Sequence, residues 1–177
     1  MKTIVYIAIA VSLLFSSCNN EPSLQKFFVE NSEKKDFVAL DVSSTILNVA
    51  SEQLTAEQKE AIDSFDKVNI IAFKVDGKNQ KEYQIEKDKL NGILKNEVYQ
   101  PLIKAGSGSD GASISFIGTE DKIDEFIVYA NKKENGFAVI RVTGNDMNPN
   151  HIMTMLSVLQ KSNIDMEQLK PLQALMQ

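Results

Sequence analysis

The chain has 177 residues, 43% of them hydrophobic and 24% charged, with one cysteine, one histidine and a formal net charge of −5. That size and mixture fit one ordinary globular domain, and so few sulfur and imidazole groups exclude an internal disulfide, a cysteine-rich zinc site and a three-histidine one. With 19 basic against 24 acidic side chains and no run of Lys or Arg, the sequence lacks a stripe that would track a phosphate backbone, so nucleic acid is not an expected partner.

The chain opens on Met1-Lys2-Thr3, runs apolar from Ile4 to Phe15 and ends that run in Ser16-Ser17-Cys18. A basic start, an apolar stretch of about 12 residues and small residues before a cleavage point make a secretory signal. A membrane-spanning helix needs about 20 apolar residues, so a permanent span is the weaker reading. The small residues before the only cysteine resemble a bacterial lipobox, with Phe15 where Leu is commoner. The expectation is a signal peptide over 1–17, a lipid-modified Cys18 and a polar tether over 18–22, Asn19-Asn20-Glu21-Pro22. Removal of the first 17 residues leaves 160 of the 177 and, because Lys2 goes with them, moves the charge from −5 to −6. Several acyl chains, palmitate among them, hold a protein at a membrane without an amphipathic helix.

From residue 23 to 177 the pattern predicts one α+β domain with a short helical tail. Leu24, Phe27 and Phe28 follow Ser23 at helical spacing, which predicts a helix to about residue 31. Residues 37–42 read as a strand, and Ser43-Ser44 as the cap of a helical turn through Ile46, Leu47 and Ala50. Thr55 and Gln58 have capping-box spacing ahead of a helix over 56–65. Residues 68–75 are rich in β-branched and aromatic side chains and stop at Asp76-Gly77, which predicts a central strand. The spacing of Tyr83, Leu90, Ile93 and Leu94 predicts the main helix over 81–97.

Between 98 and 143 the period turns to alternation, with four strands in an antiparallel meander. Pro101 places the first at an edge or itself at a non-bonded position; Ala112, Ile114 and Phe116 share one face of the second, over 111–118, with Ser113 and Ser115 opposite. Strands over 122–131 and 137–143 flank a hairpin whose Asn135-Gly136 tolerates a positive φ. Asn148-Pro149 starts a helix to about residue 161, with Ile152, Met155, Leu156 and Leu159 on its buried stripe. Ile164, Leu169, Leu172 and Leu175 form a last helical piece interrupted by Pro171. Helices packed on an antiparallel-rich sheet are the architecture this order implies.

The order of Phe27-Phe28, the strand at 36–42 with its Ser-led helix, the strand at 68–75, the helix at 90–94 and the paired strands ending at Arg141-Val142-Thr143-Gly144 resembles the domain-of-unknown-function family numbered 4252. The likeness covers nearly all of residues 23–161 and rests on hydrophobic order, not on reactive side chains. It implies an envelope lipoprotein of Bacteroidota, associated with envelope regulation through neighbouring extracytoplasmic-function sigma factors. It supplies no catalytic residues.

Candidate chemistry is sparse. Gly106, Gly108 and Gly111 match a dinucleotide pattern, but they join two strands where the fingerprint opens a helix, so a hairpin loop is the better reading. Asp146, Asn148 and Asn150 occupy alternate positions of a calcium loop, yet His151 replaces its turn glycine and Ser157 its closing Glu. His151 lacks a nucleophile motif and reads as a first-turn surface residue. Asp121, Asp124 and Glu125 read as solvated hairpin charges, alternation sending the last two to opposite faces. Five of six methionines, Met147, Met153, Met155, Met166 and Met176, fall in the last 31 residues, where thioethers suit an adaptable groove or a core.

The expectation is therefore a lipid-anchored, non-enzymatic interaction module on the periplasmic face or the outer-membrane surface. It needs no cofactor or metal; its partner is an envelope protein, with Leu169, Leu172 and Leu175 as a partner surface. The competing expectation is a small-ligand binder or enzyme whose polar site is assembled from separated residues.

Overall fold

Ser23 starts the first helix as its spacing requires: its hydroxyl accepts a hydrogen bond from the Lys26 amide at 3.3 Å. In a computed structural model that describes residues 21–43, 54–107 and 110–161, this helix, α1 (Leu24–Asn31), is followed by β1 (Phe37–Ser43), α2 (Ala56–Asp63) and β2 (Phe65–Lys74). Then come α3 (Gln80–Leu94), β3 (Gln100–Ser107), β4 (Asp110–Thr119), β5 (Lys122–Lys132), β6 (Gly136–Met147) and α4 (Pro149–Lys161). The turn expected through Ile46, Leu47 and Ala50, the leader through Cys18, Gly108 and Ser109, and the tail with Leu169, Leu172 and Leu175 lie outside the described residues.

The six strands form one sheet in the order β1-β2-β6-β5-β4-β3, every pair antiparallel. The expected meander is present: β3 to β6 run as consecutive hairpins, and β6 closes against β2. Helix α3 carries the chain from β2 to the far edge, where β3 holds Pro101 as expected. The strand at 68–75 is interior, lying between β1 and β6. Among the described residues four helices accompany the sheet, so the architecture is α+β in a single domain.

Local chemistry fixes the joints. Thr55 and Gln58 make both bonds of the capping box, at 2.9 and 3.2 Å. The Asn148 side chain accepts from the His151 amide at 3.0 Å at the start of α4. Gly136 has φ of +123°, and a side chain there would strike the Phe73 carbonyl oxygen. Three boundaries differ from expectation. The helix expected to reach residue 65 stops at Asp63, because buried Phe65 pairs with Gly144 and so begins β2. The main helix ends at Leu94, where Asn96 turns the chain: its amide donates to Ile93 and its carbonyl accepts from Tyr99. Strand β6 runs on to Met147, past the expected end at 143, held by the Asn145 amide bonding to the Ser64 carbonyl at 2.9 Å and by Met147 opposite Ile123.

Period-two alternation gives the sheet two faces. On the first, α1 and α3 cover an aromatic cluster of Phe27, Phe37, Phe73, Tyr83 and Phe137. Phe37 meets Phe73 edge-on at 5.1 Å between ring centroids, and Phe73 stacks on Phe137 at 5.7 Å. Pairs of this geometry contribute about 0.5–1.5 kcal/mol each beyond area burial. On the second face Ile152 of α4 packs with Phe65, Phe116, Ile123, Phe126, Val142 and Met147, and α2 packs on α4.

Candidate functional site

The strand register builds two contrasting surfaces over β3, β4 and β5. On the second face three rows of apolar residues cross the sheet. Val42, Val68, Val142, Phe126 and Phe116 lie nearest α4; Leu40, Ile70, Ile140, Val128, Ile114 and Ile103 come next; Val38, Ala72, Ala138, Ala130, Ala112 and Ala105 form the third. Burial falls away along them: Ile70 is 9% exposed, Val128 and Ile114 are half-buried, and Ile103 on the edge strand is 56% exposed. Ala105, Ala112 and Ala130 are exposed as well. An apolar patch continuous with a core but open at one end favours contact with another apolar surface.

On the first face the same strands change character. One row runs Ala39, Ile71, Val139, Tyr129, Ser113 and Lys104; its neighbour runs Phe37, Phe73, Phe137, Asn131, Gly111 and Gly106. Apart from exposed Ala39, both are apolar under α1 and α3 and end polar or small. The result is an open cleft of about 660 Å³ between the C-terminal end of α3 and the β3–β4 hairpin. Tyr129 lines it and is 6% exposed, with its hydroxyl buried and without a hydrogen-bond partner. Burial pushes that phenol well above the ordinary range, with the Tyr83 hydroxyl and the Asp88 carboxylate adding to the shift. Tyr99, also on the cleft wall, accepts from the Leu24 amide at 3.2 Å; burial raises its phenol, and the Glu125 charge adds to the rise.

Beside this cleft lies a buried ion pair. Glu125, expected among solvated hairpin charges, is only 8% exposed, and its carboxylate accepts from Arg141 at 2.6 Å. Arg141 also donates to Gln25 of α1. Asp124 lies in solvent and Glu125 inward, but a register shift between Ile123 and Glu125 puts Asp124 at a bulge, so the separation comes from that irregularity and not from simple alternation. The partner comes from the next strand, two pairs along in the register, opposite Ile127. Arg141 is the chain's single arginine, and its position on the inward parity of an alternating strand is the signal that it has a buried anion to meet.

The other candidates separate. His151 is half-buried, not a freely exposed first-turn residue: its Nε2 stands 3.9 Å from Glu60, in a shallow pocket of about 550 Å³ between α2 and α4. Asp146, at φ of +54°, pairs with Lys122 at 2.8 Å, so its carboxylate is engaged by an ammonium group. Among the described residues no three metal-binding side chains converge, and no helix is long and apolar enough to cross a membrane. The segment from Gly106 to Gly111 joins β3 to β4, as its strand context requires. Met147 is fully buried and Met153 is 66% exposed, so the methionine-rich region is not one surface. Sequence reasoning did not find the polar cleft. Its signal is that Ser113, Ser115, Tyr129 and Asn131 share one side of two adjacent strands.

The family model described as Domain of unknown function (DUF4252) matches residues 28–155, well over half of the chain. No curated protein and no solved structure matches.

Proposed function

The chain belongs to the domain-of-unknown-function family 4252, and we propose that it is a non-enzymatic interaction module of the cell envelope, held at a membrane by acyl chains on Cys18. The observation that carries this reading is the apolar patch that leaves the core between β6 and β5 and opens at Ile103. Two features of β3 decide how a partner engages it. Pro101 and Lys104, with the irregular register at Leu102, guard the open edge against strand addition. The partner therefore docks on the face, as an amphipathic segment of an envelope protein laying apolar side chains on Ile103, Ile114 and Val128. Anchoring supports the same reading, because it confines the body to a surface and raises its effective concentration towards other envelope proteins.

Two measurements test it. Cys18→Ser is expected to abolish labelling by a palmitate analogue and release the chain from membranes; continued labelling overturns the anchor. A photo-crosslinking residue placed at Ile103 in cells is expected to capture an envelope protein, and to lose it when Cys18 is replaced. Crosslinks confined to the chain's own residues 162–177, or to a second copy, overturn the partner.

A further inference from the structure

We propose that the cleft between the C-terminal end of α3 and the β3–β4 hairpin binds a neutral, hydroxyl-rich ligand, a mono- or disaccharide unit. The proposal does not rest on the docking face, which lies on the other side of the sheet. The cleft is lined by the amides of Asn91 and Asn131, the hydroxyls of Ser113 and Ser115, and the rings of Tyr99 and Tyr129. An amide carries a donor and an acceptor a short distance apart, and a hydroxyl is both at once. Neighbouring sugar hydroxyls present the same mixture.

Charge argues for neutrality. Lys95 and Lys104 on the cleft are matched by Glu97 and Asp110, so an anion entering meets carboxylates and a cation meets ammonium groups. Shape and polarity agree. The volume of about 660 Å³ lies within the range of small-molecule sites, which combine apolar walls with a few polar groups that fix orientation. Tyr99 and Tyr129 line the cleft while more than nine-tenths buried, so they are a rigid apolar wall and the orienting contacts fall to the amides and the serines.

The chain supplies its own reporter, since it has four tyrosines and no tryptophan, and two of the four line this cleft. The full chain, purified in a sugar-free detergent, is titrated with lactose, maltose, cellobiose and N,N′-diacetylchitobiose while tyrosine fluorescence and heat are recorded. At least one sugar is expected to give a saturable change that added salt does not weaken. Ser113→Phe, which fills the cleft, is expected to weaken it about tenfold or more, whereas Met153→Ser, exposed on α4 away from the cleft, leaves it unchanged. Should Ser113→Phe unfold, the pair Ser113→Ala with Ser115→Ala is expected to weaken binding while the melting transition stays cooperative. Absence of a saturable response to all four sugars, saturation by inorganic phosphate instead, or full affinity in the folded cleft variants overturns the proposal.

Discussion

One face of one sheet carries two different environments. Over β1, β2 and β6 the first face is dry, with Phe37, Phe73 and Phe137 interlocked under α1 and α3. Over β4 and β3 it holds Ser113, Ser115 and Lys104 around an open cleft. The backbone ladder is continuous across both, so hydrogen bonding does not distinguish them; side-chain burial does. The closed half carries the stability, and the open half is the part with surface to spare for contact.

The sharpest way to break that comparison is to empty the closed half. Phe137 is 4% exposed and touches four other rings, so Phe137→Ala is expected to cost about 3–5 kcal/mol in urea unfolding. A loss below about 1 kcal/mol would mean that the aromatic cluster is not the keystone. At the boundary, Glu125→Ala leaves Arg141 buried beside its missing carboxylate, with an expected cost of about 3 kcal/mol. The double replacement Glu125→Leu with Arg141→Met is expected to recover most of it, and failure to recover would show that the pair contributes more than mutual neutralisation.

A pH series sharpens the same boundary. Tyr99 and Tyr129 have phenol pKa values raised by burial in the folded chain. The stability linked to them is therefore complete below the unfolded phenol pKa of about 10 and is lost as pH rises through the folded values. Tyrosinate absorbance is expected to lag behind that of free tyrosine and then rise together with unfolding; Tyr129→Phe is expected to reduce the alkaline loss. Early, independent ionisation of all tyrosines would put these groups in water. The smallest effect belongs to the open half, where Ile103→Ser is expected to change stability by no more than about 0.5 kcal/mol.

Much of this fold is legible in the sequence where the signal is local. The capping box at Thr55, the Asn148-Pro149 helix start, the Gly136 hairpin and the edge position of Pro101 each depend on a few neighbouring residues, and all are present. What is not legible is long-range. Nothing near Glu125 shows that Arg141 will cross to it, and nothing near Gly144 shows why a glycine ends the Arg141-Val142-Thr143 run. The structure answers both. A side chain at Gly144 would sit 2.0 Å from the Ser64 carbonyl oxygen, at the place where β6 passes the end of α2. The cleft escaped for the same reason: its lining comes from α3, β3, β4 and β5, and only the register puts them together.

Over β5 and β4 the second face shrinks in order, from Phe126 through Val128 to Ala130 and from Phe116 through Ile114 to Ala112. Side-chain height sets how closely a backbone can approach a sheet, so this surface is a ramp, not a shelf. A rod resting on it sinks at the alanine end and rides high beside α4, and it tilts in one sense only. Whatever lies there inherits its direction from the size of a few methyl groups.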